Sequence, residues 1–356
     1  MDDCIRSSEF TVGIDLGDRV SRICVLDGTG EVIEESRVAT RPEALRARFS
    51  VDQRMRIVLE TGTHAPWVSR VLEVLGHEVF VANARQMALI SKNDSKSDRI
   101  DAELLARVGR SDPKLLRAVR PRRAETMASL ALVRSRSALV RARSALVNHV
   151  RGTVKAAGGR LPAVSTEAFA RRVPPHVPAE VGEALAPVLD QIAVLTTAIA
   201  AYDRRIERMA RDVHPETRLL RQVTGVGPLT ALTYVLTLED PHRFRTSRVV
   251  GSYLGLRPKR SQSGDRDPQL RITKAGDRAL RGLLVQAAHY ILGPFGPDCD
   301  LRRFGQRLTE RGGKAAKKRA TIAVARKLAV LLHRLWVTGE QYEPVRHGAA
   351  VASAAA

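Results

Sequence analysis

The chain has 356 residues, 44% of them apolar, enough for at least two buried cores, so two or three domains are expected. Lysine and arginine number 59 against 38 acidic residues, and the resulting +21 is spread along the whole sequence, a self-repulsion that a polyanionic partner would compensate better than a merely solvated basic face. Three cysteines (Cys4, Cys24, Cys299) form no CxxC pair and no zinc-spaced cluster, no apolar run approaches the ~20 residues of a membrane span, and the N-terminus lacks a signal core, which together exclude a disulfide framework or structural zinc and predict a cytoplasmic protein.

From Thr11 to about Asp112 the pattern alternates strand and helix. Short β-type runs at 12–16 and 22–26, then a turn through Asp27-Gly28 and Gly30 into a run at 32–38, predict an antiparallel meander. An apolar strand at 56–60 ends in Glu60. An amphipathic helix at 65–75 closed by Gly76 and a strand at 78–82 then complete a β-α-β crossover. This part of the chain is therefore read as an α/β domain.

Residues 124–155 change character. Ala-Leu-Val recurs at Ala131, Ala138 and Ala145, so Leu132, Leu139 and Leu146 with Val133, Val140 and Val147 keep an apolar seam on one side of a long helix, as in a coiled coil or helical hairpin. The Arg134/Arg141 and Arg136/Arg143 stripes beside it are either solvated flanks or phosphate contacts. Gly158-Gly159 and Pro174-Pro175…Pro178 form a loop between two arms. Helical spacing returns over 180–212 through Leu185, Leu189, Ile192, Leu195, Ile199, Tyr202 and Ile206, a second helix able to pack antiparallel on the first.

Residues 213–345 read as mostly helical. Thr224-Gly225-Val226-Gly227-Pro228 is a tight turn at a helix start, where N–H groups at Gly225 and Gly227 could hold a phosphate, a weak signal alone. A basic-then-apolar helix at 314–336 presents Ile322, Ala325, Leu328, Leu332 and Leu335 as a core face. The Ala-rich tail from Pro344 lacks periodicity and is expected to be disordered.

Four carboxylates stand out against this basic background. Asp15 interrupts an apolar strand in Val12-Gly13-Ile14-Asp15-Leu16-Gly17, where burial without a cation or hydrogen bonds would be unfavourable. Glu60 ends another apolar strand and precedes Thr61-Gly62, where a capping role would not require a carboxylate. Asp98 and Asp101 in Lys96-Ser97-Asp98-Arg99-Ile100-Asp101-Ala102 share one face of a helix starting near Ser97, with helix capping by Asp98 as the competing reading. Hard oxygen ligands of this kind suit divalent cations.

The order of these residues, with Leu105-Ala106 after the aspartates and Trp67 after Glu60-Thr61-Gly62, resembles the RuvC-like DEDD transposases of the one-hundred-and-ten family of bacterial insertion sequences. The resemblance continues through Thr224-Gly225-Val226-Gly227-Pro228, Asp240-Pro241-His242-Arg243-Phe244, Tyr253-Leu254-Gly255-Leu256-Arg257-Pro258, Ser261-Gln262-Ser263-Gly264 and Ile272-Thr273-Lys274-Ala275-Gly276-Asp277, covering residues 11 to 343. Ser97, Thr273 and Asp277 stand where Thr, Ser and Asn are more familiar.

The resemblance implies a DNA recombinase. Its expected parts are a short tail (1–10), an RNase H-like, RuvC-like α/β domain (11–115), a helical coiled-coil arm (116–212), a mostly α-helical transposase domain (213–343) and the tail (344–356). It places a two-Mg²⁺ tetrad on Asp15, Glu60, Asp98 and Asp101, and a serine nucleophile on Ser263, with Ser261 close enough to leave the choice open. Arg134, Arg141, Gly225, Gly227, Arg257, Lys259, Arg260 and Lys274 are the candidate nucleic-acid contacts, and Arg266 and Arg271 also flank the serine. Implied partners are double-stranded DNA, a structured bridge RNA and further copies of the chain in a dimer or tetramer. Three other readings compete: a Holliday-junction-type endonuclease that activates water with the same tetrad, an actin-like sugar kinase suggested by Gly13-Ile14-Asp15-Leu16-Gly17, and a non-catalytic nucleic-acid-binding protein.

Overall fold

The computed structural model describes residues 9–84, 98–264, 266, 268, 270–310 and 312–346, with the side chains of Asp98 and Arg99 also outside the description. The expected disordered tail lies outside these residues from 347 on, whereas the Pro344 carbonyl still accepts from the Asp300 N–H, and the Asp300 carboxylate from the Arg346 N–H. The chain divides into two compact units, one up to Arg123 and one from Ala124 onward.

The first unit is built on β1 (Thr11–Asp15), β2 (Val20–Leu26), β3 (Val32–Ala39), α1 (Pro42–Phe49), β4 (Arg56–Glu60), α2 (Ala65–Val74), β5 (Glu78–Ala82) and α3 (Asp98–Ser111). The five strands form one mixed sheet in the order β3-β2-β1-β4-β5. β1 to β3 run antiparallel as expected, and β4 and β5 join parallel to β1. The β2–β3 turn is fixed by the Asp27 carboxylate, which accepts from the N–H groups of Thr29, Gly30 and Glu31 at 2.8–3.0 Å. Helix α1 was not expected, because only Leu45 and Phe49 of its eight residues face inward.

Strand alternation divides the core into two layers. Val12, Ile14, Ile57, Leu59 and Val81 meet α1 and α2 through Leu45, Phe49, Val68 and Leu72. On the opposite face Cys24, Leu26, Val58 and Ala82 pack under α3 through Ala102, Leu105, Ala106 and Val108.

The second unit opens with α4 (Ala124–Ala156) and α5 (Ala179–Asp212), joined by a loop containing one helical turn (Phe169–Arg172). They pack antiparallel: Val147, Val150 and Val154 meet Leu185, Leu189 and Ile192, while Leu130, Leu132 and Val133 meet Ile206 and Ala210. The buried positions of α4 are Leu130, Leu132, Val133, Arg143, Val147, Val150 and Val154, and Leu139, Val140 and Leu146 of the expected seam are only half-buried. One arginine pair of this helix turns toward partners. Arg136 pairs with Asp203 at 2.8 Å, and the buried Arg143 donates to Thr196 and to Thr166 and Glu167 of the connecting loop. Hydrogen bonds from its own backbone N–H and from Thr166, with Arg143 nearby, hold the Glu167 carboxyl down at about 2. Length and composition alone would let α5 cross a bilayer, which the sequence reading did not anticipate; its buried residues, however, form one stripe against α4.

The remaining helices of seven residues or more are α6 (Pro228–Leu238), α7 (Ser247–Tyr253), α8 (Arg278–Leu292), α9 (Asp300–Thr309) and α10 (Gly313–Thr338). Leu280, Leu284, Ala287 and Ile291 of α8 close on Val324, Ala325, Leu328, Leu332 and Leu335 of α10, so the expected core face is largely present, with Ile322 half-buried at its edge. The buried Tyr234 hydroxyl donates to the Ala329 carbonyl at 2.6 Å. His333 explains the Asp240-Pro241-His242-Arg243-Phe244 segment: its Nε2–H donates to the Pro241 carbonyl at 2.8 Å, and its Nδ1 accepts from Ser247 at 2.9 Å.

Burial, with His242 nearby, lowers the His333 pKa below its ordinary 6.5. The neutral ring therefore contributes stability in full above that value, and the contribution is lost as pH falls through it toward the folded-state pKa. The melting temperature of the helical unit is expected to decline as pH falls below the ordinary 6.5, and the decline should be shallower in His333→Gln. Superimposable melting profiles for the two proteins would contradict this.

Candidate active site

Asp15 and Glu60 occupy the last positions of β1 and β4, neighbouring parallel strands in which Ile14 pairs with Leu59. Strand spacing puts their backbones about 5 Å apart, and alternation sends both side chains to the face opposite Ile14 and Leu59, the face covered by α3. Both are half-buried.

The direction of α3 follows from its contacts. Arg107 and Arg110, in its second half, donate to the carbonyls of Gly30 and Gly28 in the β2–β3 turn, which lies beside the start of β1 because Thr11 pairs with Leu26. The first turn of α3 therefore lies toward the strand ends that carry Asp15 and Glu60, and it brings the half-buried Asp101 to that side. Gly13 permits the approach: a methyl there would overlap the Ala102 carbonyl oxygen and stand 2.7 Å from the Ala106 nitrogen. Asp98 begins the same helix, but its side chain lies outside the described residues. Among the described residues no three His, Cys, Asp or Glu side chains come together as a ready-made chelate.

The loops after both strands are braced. Thr61 donates its N–H to the Ala82 carbonyl and its hydroxyl accepts from the Ala84 N–H at 3.2 Å, which gives the threonine after Glu60 a structural role. Sequence reasoning missed His64, which has no motif signature. Its Nδ1 accepts from the Trp67 indole at 3.0 Å, leaving Nε2 to carry the proton 3.5 Å from Asp18.

Ser263 belongs to the second unit. The described residues between Gly255 and Lys274 form an irregular antiparallel ribbon, which the mostly helical reading of 213–345 did not anticipate. Backbone bonds link Lys274 to Gly255, Thr273 to Arg257, Lys259 to Arg271, and Ser263 to Arg266 in both directions at 3.1 Å. Ser263 is thus an exposed residue at the ribbon's tip, followed by Gly264 with φ +54°, whereas Ser261 lies between the paired positions. The ribbon's root is clamped by Arg281, which donates to the carbonyls of Leu254 and Ala275. Arg257, Lys259, Arg260, Arg266, Arg271 and Lys274 are all exposed along it, and Lys259 stands opposite Arg271, a like-charge pairing that a polyanion would relieve.

The other candidate contacts are separate. Arg134 and Arg141 are exposed on α4, and Arg134 reaches within 3.9 Å of Asp277, which caps α8 through the Leu280 N–H. Gly225 takes φ +88°, Val226 is buried, and Gly227 begins α6 with no atom within 4 Å of where a side chain would stand. Both glycines border an open cleft of about 490 Å³ with Arg221 and Tyr290. Arg221 at the cleft is paired with Glu207 at 2.9 Å, and Tyr290 forms part of the wall.

Residues 12–157 match the DEDD transposase domain of IS110 type, and residues 217–297 match the transposase IS116/IS110/IS902 family. The chain is 30% identical to a probable family 20 transposase of Pseudomonas aeruginosa over 94% of its own length and 98% of that protein. It is 26% identical to the transposase for insertion sequence element IS1111A of Coxiella burnetii, over 93% and 90% of the two chains. A pilin gene-inverting protein of Moraxella bovis is 24% identical over 77% of each. With a strand-end carboxylate pair under α3 and both family regions in order along the chain, this protein belongs to the IS110/IS116/IS902 family of transposases.

Proposed function

We propose that this chain is a cytoplasmic DNA recombinase that cuts and rejoins strands at the ends of an insertion sequence, using a divalent-metal carboxylate site and a serine nucleophile. The observation that carries the proposal is the pairing of Asp15 and Glu60 on adjacent parallel strand ends, beneath the helix whose first turn bears Asp98 and Asp101. The mixed sheet with Asp15 on its central strand supports an RNase H-like, RuvC-like reading of this domain, and the heptad pattern of α4 supports a coiled-coil arm between it and the serine-bearing helical domain. The Pseudomonas and Coxiella relatives are named as transposases and the Moraxella relative as a gene inverter, which supports DNA as the substrate.

The donor set fits a hard cation, since it consists of carboxylate oxygens. Asp15, Glu60, Asp98 and Asp101 would hold two Mg²⁺ ions. When bound, such ions neutralise phosphate charge and stabilise the attacking and leaving oxygens. Ser263 Oγ attacks the DNA phosphorus, forming an Oγ–P bond as the bond to a deoxyribose oxygen breaks, and the hydroxyl proton passes to that leaving oxygen. The phosphoserine link conserves the bond for rejoining by the reverse attack. Arg257, Lys259, Arg260 and Lys274 bind the phosphates beside the serine, and the Gly225–Gly227 turn and the exposed arginines 134 and 141 extend the contact. A bridge RNA choosing the target, and assembly as a dimer or tetramer, complete the proposal.

The test removes charge but keeps shape. Asp15→Asn and Glu60→Gln are expected to lower the yield of rejoined element ends by about a hundredfold or more, with DNA affinity and melting temperature held or raised. Wild-type yields from both variants would refute the metal-site assignment.

A further inference from the structure

The first two turns of α10 carry Lys314, Lys317 and Lys318, all exposed, with Arg319 exposed beside them. Spacings of three and four put the three lysines on one helix face, where like charges repel. They also stand at the positive end of the helix dipole, the less favourable end for cations. Nothing in the sequence offsets this: the first turn contains no acidic residue, the capping position is Gly312 at φ +75° with no side-chain cap, and none of the four cations makes an ion pair among the described residues. Two turns further on, Ala320, Thr321, Val324 and Ala325 are buried, so the helix is anchored by its apolar half and presents the lysines rigidly. The arrangement works against helix stability, and a dense line of negative charge would resolve the conflict.

We propose that Lys314, Lys317 and Lys318 form a second contact with the phosphate backbone of duplex DNA, distinct from the serine ribbon and indifferent to base sequence; the proposal rests on the reading of DNA as substrate. Their Cα atoms span about 6 Å of helix, and a duplex carries one charge per ~1.7 Å of its axis, so long flexible ammonium groups can each meet a phosphate of the same stretch. Lysine supplies point charge without the planar fork that reads guanine, which suits positioning rather than base readout.

The test measures binding of the full chain to a random-sequence duplex of about 30 base pairs across a salt series, with a structured RNA of matched length in parallel. Replacing all three lysines by alanine is expected to shrink the slope of log affinity against log salt by about 2 to 3 and to weaken duplex binding about a hundredfold near 0.1 M salt. The melting temperature should hold or rise, because relieved repulsion is the only change to the fold. An unchanged slope, a fall in melting temperature accompanying the loss of binding, or weakened RNA binding with duplex binding intact would each overturn the assignment. Should the wild-type chain itself show no salt-dependent duplex binding, the DNA reading fails along with the ridge, an outcome distinguishable from failure of the ridge alone.

Discussion

Gly13→Ala is expected to destabilise the first unit by about 1–3 kcal/mol and to abolish strand rejoining at the same time. The clash is with backbone: the added methyl meets the Ala102 carbonyl and the Ala106 nitrogen, and neither can rotate away as a flexible side chain would. Helix α3 must lift, and the layer formed by Cys24, Leu26, Ala102 and Ala106 opens with it. Asp101 rides on the lifted turn, so a single methyl displaces one proposed metal ligand relative to Asp15 and Glu60 without touching any of the three. A misplacement of about 1 Å at a catalytic group is enough to cost about a hundredfold in rate. Gly28→Ala is the control, since a methyl there meets only the Glu9 carbonyl, at 3.7 Å. Thermal melts and a recombination assay on both variants decide the matter. Wild-type stability in Gly13→Ala would mean that α3 does not lie on β1 as described.

Ser263→Ala is expected to eliminate the covalent protein–DNA adduct trapped by denaturant and to reduce rejoined product by about three orders of magnitude or more, with duplex affinity unchanged. The backbone around the serine argues for this residue over its neighbour. Ser263 exchanges both main-chain bonds with Arg266, so its position at the ribbon tip is held, while Ser261 makes no such bond among the described residues. In the proposed reaction the cations that line the ribbon would bring the phosphate to the hydroxyl, and alanine leaves all of them in place. Ser261→Ala is therefore expected to keep its adduct. Adduct loss in Ser261→Ala alone would move the nucleophile there. Adducts absent even from the wild-type chain, with cleavage retained, would favour the water-activating endonuclease built on the same carboxylates.

Much of the first unit could be read from the sequence because each strand is short, apolar and bounded by a turn residue. The strand ending in Glu60 and the one at 78–82 have their expected limits, and the crossover helix after Glu60 differs by one residue. Asp15 and Glu60 were identifiable because a carboxylate ending an apolar strand contradicts its surroundings. The approach that turns Asp101 toward their side of the sheet was not, since it depends on Gly13 lying beneath Ala102, a long-range contact that local spacing does not encode. The serine ribbon escaped for a different reason. Its residues are almost all polar, and the half-buried Ile272 opposite Pro258 is the main apolar mark of pairing. In the helical pair the two long helices and half of the expected seam were legible, but periodicity alone could not say which arginine stripe turned inward; the partners Asp203, Thr196 and Glu167 decide that.

The buried guanidinium of Arg143 has a consequence for assembly of the helical pair. Near-identical heptads give α4 several almost equivalent ways to lie along α5, each displaced by seven residues and each offering Leu and Val at the same places. A slip of one heptad one way would set Arg136 among Thr196, Thr166 and Glu167 and drive Arg143 into the buried place of Val150, while a slip the other way would carry Arg143 toward Asp203 and leave Val150 facing those oxygens. One charge in the seam thus breaks the degeneracy of a repetitive helix, trading some hydrophobic contact for a single alignment.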